Sequence, residues 1–379
     1  MAQKSSAHSM KSGGADLLVL AGKSAYDHIR ENGLQPSDVS AVLGASGAAK
    51  WLVLYGLDSA VFSQWFAGRT EPLELMGTSI GAWKLTAAAQ DDSAAAFDRL
   101  KDAYISQSYK GRPTASDVSG ESVRIMEIIM GRDGVNQILA HPYCRLSFSA
   151  VRCKGLMARE EAPLLIAGMA WAFGLNYVSR SLQGKVFERT VFHDPRTIDS
   201  VLDFSEFPPN FTPLNTGNFS QALLATGSIP LIMHGVKDIP GAPKGMYRDG
   251  GLLDYHPAIP MKPKSKGFIL YPHFYPHAVR GWFDKKRTSR WADGEILDRT
   301  IILAPSPEFV DKLPFGRIPD RKDFSRFQDK DHIRQPAWKE AAQMSIKLGQ
   351  DFLDLTDKGT IKTAVQLIDR DQDKARKRL

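Results

Sequence analysis

A chain of 379 residues that is 43% hydrophobic can bury one large core with appended elements, and its two cysteines, Cys144 and Cys153, support neither a disulfide framework nor a zinc site and suit a reducing compartment. The formal net charge is +7, but the chain carries no recognisable nucleic-acid module, so nucleic acid is not an expected partner. No apolar run reaches the roughly 18 residues that a membrane-spanning helix needs.

Met1 to Gly14 is polar and Ser-rich without an apolar h-region, which predicts disorder rather than a signal peptide. Strand Leu17–Leu20 and a helix at about Lys23–Glu31 follow, then strand Val39–Leu43. The small-residue turn Gly44-Ala45-Ser46-Gly47-Ala48-Ala49-Lys50 leads into a helix predicted from about Lys50 to Phe66. Small residues at a helix start leave backbone N–H groups facing an open concavity, which suits an anion. Any α/β protein also needs such strand-to-helix connections. Strand Leu73–Met76 then runs into Gly77-Thr78-Ser79-Ile80-Gly81 and a helix over Gly81–Gln90. G-x-S-x-G between strand and helix reads as a nucleophile elbow, a sharp turn that exposes the serine Oγ and relies on small flanking residues for close backbone approach. A further helix is expected from about Ser93 to Gln107, capped by Asp91 or Asp92, with Phe97, Leu100, Tyr104 and Ile105 on one face.

Strand Arg145–Cys153 comes next, and then the all-apolar stretch Pro163–Leu175, too short to span a bilayer and read as a buried helix that can also line an acyl pocket. Strand Lys185–Phe192 precedes Ala225-Thr226-Gly227-Ser228-Ile229-Pro230 and Tyr247-Arg248-Asp249-Gly250-Gly251-Leu252-Leu253-Asp254. Aspartate before Gly-Gly is commonly only a turn; presented on a loop it can also be a second catalytic group. Strands Gly267–Tyr271 and Arg299–Leu303 flank the basic, aromatic stretch Arg280–Trp291, which reads as a solvated loop or as a docking site for an anionic membrane surface. Asp369 to Leu379 alternates acids and bases and reads as a frayed helix. Alternating strands and helices predict an α/β fold, a sheet of mainly parallel strands with helices on both faces, with ligands at the carboxyl ends of the strands where Gly47 and Ser79 lie.

In this order, the small-residue loop, G-x-S-x-G and Asp-Gly-Gly resemble the patatin-like phospholipase family of serine lipid acyl hydrolases over roughly residues 39–260. The resemblance implies a Ser-Asp dyad without histidine, with Ser79 as nucleophile and Asp249 as base. It further implies an oxyanion hole from the Gly47 and Ala48 amides, with Gly77, Gly81, Gly250 and Gly251 supporting elbow and loop. Activity would be cleavage of a carboxylic ester of a phospholipid or other lipid, with no cofactor and no metal. Acyl transfer or thioester cleavage would use the same residues. One departure is that Ser46, Gly47 and Ala48 stand where the family usually has three glycines. That departure keeps open a weak or inactive lipid- or partner-binding module. Ser46 is a rival nucleophile, and His256, His234 or His273 could complete a Ser-His-Asp triad. Lys50 reads as solvated along its helix rather than as a head-group contact. The expected organisation is a disordered 1–14, a hydrolase domain over 15–305 and a mostly helical extension over 306–379. The expected setting is cytoplasmic, with peripheral membrane contact; head group and oligomeric state are open.

Overall fold

The computed structural model describes residues 16–368, so the expectations for Met1–Gly14 and Asp369–Leu379 fall outside the described residues. The strands are β1 (Leu17–Ala21), β2 (Val39–Gly44), β3 (Leu73–Gly77), β4 (Cys144–Cys153), β5 (Phe187–His193), β6 (Asn210–Pro213), β7 (Val236–Lys237), β8 (Met246–Asp249), β9 (Phe268–Pro272), β10 (Thr300–Pro305) and β11 (Gln366–Leu367). They form one sheet in the order β11-β1-β10-β9-β2-β3-β4-β5-β6, with β8 beside β4 and β7 beside β8. From β10 through β9, β2 and β3 to β4 every pairing is parallel, whereas β1 opposes β10, and β5 and β8 oppose β4. Strands such as β2 and β3 are buried along nearly their whole length, as expected of parallel strands covered on both faces by helices. The fold is a single α/β domain with a mostly parallel sheet.

Strand β4 is ten residues long and outlasts its neighbour. β3 pairs with its first half, ending at Gly77 opposite Phe148. β5 occupies the other edge. The edge that β3 vacates is taken by β8, which arrives from the opposite direction and ends with Asp249 opposite Ala150. The two strands therefore meet head to head, and the turn after Gly77 faces the carboxylate of Asp249.

The segment expected as one helix from Lys50 to Phe66 is broken into a 3₁₀ stretch, Ala48–Leu54, a short α-helix, Tyr55–Ala60, and a π turn, Val61–Trp65. Gly56 explains part of the break. Its N–H lies in the first turn of the short helix, where no intrahelical acceptor exists, and donates to Ser345 Oγ at 2.8 Å. Helix Ile346–Asp357 packs directly on this segment, and Trp338 and Phe352 belong to the same core as the sheet.

Apolar helix Ala162–Val178 is not buried as expected. Leu165, Gly168, Ala172 and Leu175 face inward, but Trp171 is 59%, Tyr177 66% and Val178 74% exposed. A sequence that is apolar all round leaves the inward face undetermined, and here the neighbouring turns Gly155–Ala158 and Arg180–Lys185 cover only one side.

The helix after the elbow, Ile80–Ala88, is wholly buried and carries Lys84, whose Nζ meets Asp58 Oδ1 and Oδ2 at 2.9 and 3.0 Å and the carbonyl of Pro272 at 3.3 Å. Removing one member of such a pair leaves the other charge buried alone. Lys84→Met is expected to lower unfolding free energy by about 3–5 kcal/mol, measured by urea denaturation.

Candidate functional site

Ser79 adopts φ 51°, ψ −132° at the start of helix Ile80–Ala88. A non-glycine residue in this region is strained by about 1–3 kcal/mol, and the surroundings hold it there. A Cβ on Gly81 would lie 2.1 Å from Gly44 O, and one on Gly77 2.6 Å from Ala82 N, so β2, β3 and the helix can meet at the elbow only because both positions lack side chains. The Ser79 N–H donates to Thr226 Oγ1 at 3.0 Å, and that hydroxyl donates to Ser149 O on β4 at 2.6 Å. Thr226 thus ties the elbow to the strand that carries both halves of the site.

Ser79 Oγ donates to Asp249 Oδ2 at 2.8 Å. The other carboxylate oxygen accepts the Gly251 N–H at 2.7 Å. Ser79 and Asp249 are each 7% exposed, and burial pushes the Asp249 carboxyl up to about 6 against the opposing pull of the Gly251 amide and the Ser79 hydroxyl. A Cβ at Gly251 would sit 2.6 Å from Ser46 Oγ and 2.9 Å from Asp249 Oδ1, and one at Gly250 2.1 Å from Ser149 O. Both glycines are therefore required by close contact beneath the carboxylate.

Gly47 and Ala48 border the same space, and among the described residues their N–H groups have no acceptor. Ala48 takes φ 51°, a left-handed conformation that costs an L-residue roughly 1–2 kcal/mol. The departure from glycine at this position is absorbed as strain, with the backbone turn retained.

Two cavities meet at Ser79. One, of about 140 Å³, holds Asp249, Gly47, Lys50, Tyr255 and Lys285. The other, of about 400 Å³, is lined by Trp83, Tyr104, Val118, Ile125 and Met233 among others. Ala48, Ser79, Ile229, Arg321 and Lys322 border both. Lys50 therefore lines the smaller cavity, over the Phe274 ring, rather than lying free along a helix; it belongs to the 3₁₀ stretch Ala48–Leu54. Trp282 and Lys285, from the stretch expected as a loop, line it too. Lys285 stands 4.0 Å from the Tyr255 ring centroid at the cavity mouth. Partial loss of solvent, then repulsion from Lys50 and Arg321, lowers its ammonium from the usual lysine range.

Ser46 also lies in this cavity, but its Oγ pairs with Thr78 Oγ1 at 2.9 Å and meets no carboxylate. His256 and His273 are buried, accept backbone N–H groups from Val279 and Tyr275, and line neither cavity. His234 is on the surface against Glu160 and Ser116. Sequence reasoning gave no role to Thr226, Arg321 or Lys322. Thr226 lies inside a quoted segment but has no signature of its own, and the basic pair becomes meaningful only through its tertiary position. Both cysteines are buried, with thiols pushed up to about 12 by desolvation.

No family model matches the chain, and no curated protein does. Among solved structures it is similar to VipD from Legionella pneumophila, at 11% identity and a TM-score of 0.33, covering 81% of this chain and 67% of that one. It is also similar to human GIVD cytosolic phospholipase A2, at 12% identity and a TM-score of 0.36, covering 90% of this chain and 64% of the human chain. The chain thus spans less than two thirds of the length of the human protein.

Proposed function

We propose that this protein is a lipid acyl hydrolase that cleaves carboxylic esters through Ser79 and Asp249. The observation that carries the reading is the 2.8 Å bond from Ser79 Oγ to Asp249 Oδ2 at an elbow with φ 51°, where the polar and apolar cavities join. Ser79 Oγ attacks the ester carbonyl carbon while its proton passes to Asp249 Oδ2. The Gly47 and Ala48 N–H groups, free of other acceptors, hold the oxyanion. Collapse of the tetrahedral intermediate breaks the bond to the alcohol oxygen, which takes the proton from Asp249. Water then attacks the acyl-serine, giving a proton to Asp249, and the proton returns to Ser79 Oγ as the fatty acid leaves. A carboxyl near 6 is a stronger base than an ordinary aspartate yet is still mostly ionised at neutral pH. The apolar cavity suits an acyl chain. An intact, bonded dyad favours this reading over a binding module that merely keeps the fold.

Access from a lipid surface is part of the same proposal. Among the described residues no helix is long and apolar enough to cross a membrane. The exposed face of helix Ala162–Val178 presents Ile166, Trp171, Phe173, Tyr177 and Val178. Phe173 contacts Phe283, and Arg287 donates to Tyr177 O, so the basic stretch lies against this face. Trp282, next to Phe283, lines the cavity. Apolar side chains beside Lys286 and Arg287 match the acyl boundary and anionic head groups of a bilayer, and the Trp282–Lys285 turn links that surface to the site.

Labelling with a fluorophosphonate probe is expected to modify Ser79, mapped by peptide mass spectrometry, and to vanish in Ser79→Ala. Label on Ser46, or none beside an active control hydrolase, would overturn the proposed mechanism. Asp249→Asn keeps an acceptor for Gly251 but loses the base, so kcat is expected to fall by at least about 10²-fold. In the wild type kcat/KM should rise with pH through about 6. Because the folded pKa lies above the unfolded one, the native state holds the extra proton between about pH 4 and 6. Stability drawn from it is full below that window and lost as pH rises through about 6. Asp249→Asn should therefore be more stable than wild type at pH 8, by on the order of 1–3 kcal/mol, with the difference shrinking through pH 6 to 4 and disappearing below about pH 4 in thermal melts. For the surface, Trp171→Asp with Phe173→Asp is expected to weaken co-sedimentation with vesicles containing phosphatidylglycerol by about tenfold or more. Equal binding by variant and wild type would remove the helix from the docking reading.

A further inference from the structure

We propose that the smaller cavity is a head-group subsite that selects single-chain acyl esters carrying a compact oxyanion such as a phosphomonoester; this rests on Ser79 being the nucleophile. Four cations from three distant segments converge there: Lys50 after β2, Lys285 from the basic stretch, and Arg321 and Lys322 from the segment after β10. The salt bridges among the described residues include none of the four. Both carboxylates of the cavity are engaged elsewhere. Asp249 holds Ser79 and the Gly251 amide, and Asp320 accepts the Lys322 N–H at 2.7 Å and faces Arg326. Asp320 acts as a counter-charge to Lys50, and Asp249 to Lys285, but the cavity still gathers more cations than carboxylates; the excess repulsion destabilises a fold, and a visiting anion relieves it.

The position of these cations relative to the bond to be cut gives them a chemical meaning. Ala48, Ser79, Ile229, Arg321 and Lys322 form the boundary between the cavities. An ester whose carbonyl sits at Ser79 Oγ, with its chain in the apolar cavity, must place its alcohol portion on the cationic side. That side offers about 140 Å³ against about 400 Å³, so its walls match a compact head group better than a long chain. Arg321 adds a planar fork of donors that matches a phosphate oxygen pair, and the lysines add point charge. Lys50 over Phe274, and Lys285 over Tyr255 and Trp282, are held by aromatic faces that leave their ammonium groups free to donate.

Binding is read first on Ser79→Ala, which cannot turn over, by calorimetry with n-octyl phosphate, n-octyl glucoside and inorganic phosphate below micellar concentrations. Octyl phosphate is expected to bind at least about tenfold tighter than either control, and that advantage is expected to shrink about tenfold in Arg321→Gln/Lys322→Gln and to weaken with added salt. Both residues are exposed, and thermal melts check that the variant is folded; Lys285→Gln gives an independent reading of the same charge set. Octyl phosphate and octyl glucoside binding alike would overturn the proposal. So would inorganic phosphate binding as tightly as octyl phosphate, since that describes an anion site unconnected with the acyl cavity. Turnover supplies the second arm, the ratio of kcat/KM for a 1-acyl glycerol phosphate over the matching monoacylglycerol, expected to favour the phosphate in wild type and to fall toward one in the double variant, mainly through KM. Turnover of both esters without discrimination overturns the subsite and leaves the Ser79 mechanism standing. Selective octyl phosphate binding without turnover of any ester supports the subsite and overturns the Ser79 mechanism.

Discussion

The unequal pairing of one long strand sets this molecule's chemistry. β4 is partnered by β3 up to Phe148 and by β8 from Ala150 onward, on the same edge and in opposite directions. Two strand ends that approach one another within a sheet are held by the hydrogen-bond ladders of the intervening strand, so their separation is fixed by backbone geometry rather than by flexible side chains. Ser79 leaves one end and Asp249 closes the other. Their hydrogen bond is thus a consequence of register, and Thr226 reinforces it by joining the Ser79 amide to Ser149, between Phe148 and Ala150 on the same strand. A slip of one residue would turn each side chain to the opposite face.

Holding a carboxylate 7% exposed beside a serine in a strained conformation works against folding, and buried ion pairs set close to the elbow keep the backbone in that arrangement. Lys84, one turn into the helix after Ser79, meets Asp58. Arg189 on β5 makes a two-pronged contact with Asp254, whose carbonyl accepts Thr78 Oγ1 next to Ser79. Such pairs rarely add net stability over apolar packing. Their effect here is positional: each fixes a backbone segment that the dyad needs, in a region where close glycine contacts leave no side-chain volume to do so.

How much of this was legible in the sequence follows from the range over which each feature is determined. The elbow and the Asp-Gly-Gly loop were readable because each leaves a short run of unusual residue types, whose glycines meet distant backbone such as Gly44 or side chains such as Ser46 at close range. The central strands were readable because burial on both faces leaves continuous apolar runs. β8, with only four residues, Met246–Asp249, carries no period, and its place on β4 could not be inferred. The Ala162–Val178 helix misled because an all-apolar composition specifies no face. Lys50 misled because it lies in the 3₁₀ stretch Ala48–Leu54 rather than in a regular α-helix, and where that stretch gives way to an α-helix Gly56 is tied to Ser345, hundreds of residues away in sequence.

The region after β10 shows why a site cannot be bounded by its motifs. No chemical pattern marks Asp320–Ser325, yet Arg321 and Lys322 border both cavities. Asp323 behind them is gripped by Arg317, Arg326 and the Trp338 indole, which keeps its carboxyl below the usual range through those hydrogen bonds even though burial opposes the shift. A charged anchor of this kind orients a short segment more strictly than apolar packing would, because each donor has one direction. Trp338 in turn sits in the core with Tyr104, a residue that lines the apolar cavity. Cavity wall, basic pair and core are thus mechanically continuous. In the proposed ester cleavage, the segment after β10 would border the alcohol half of the substrate while Ser79 and Asp249 act on the bond.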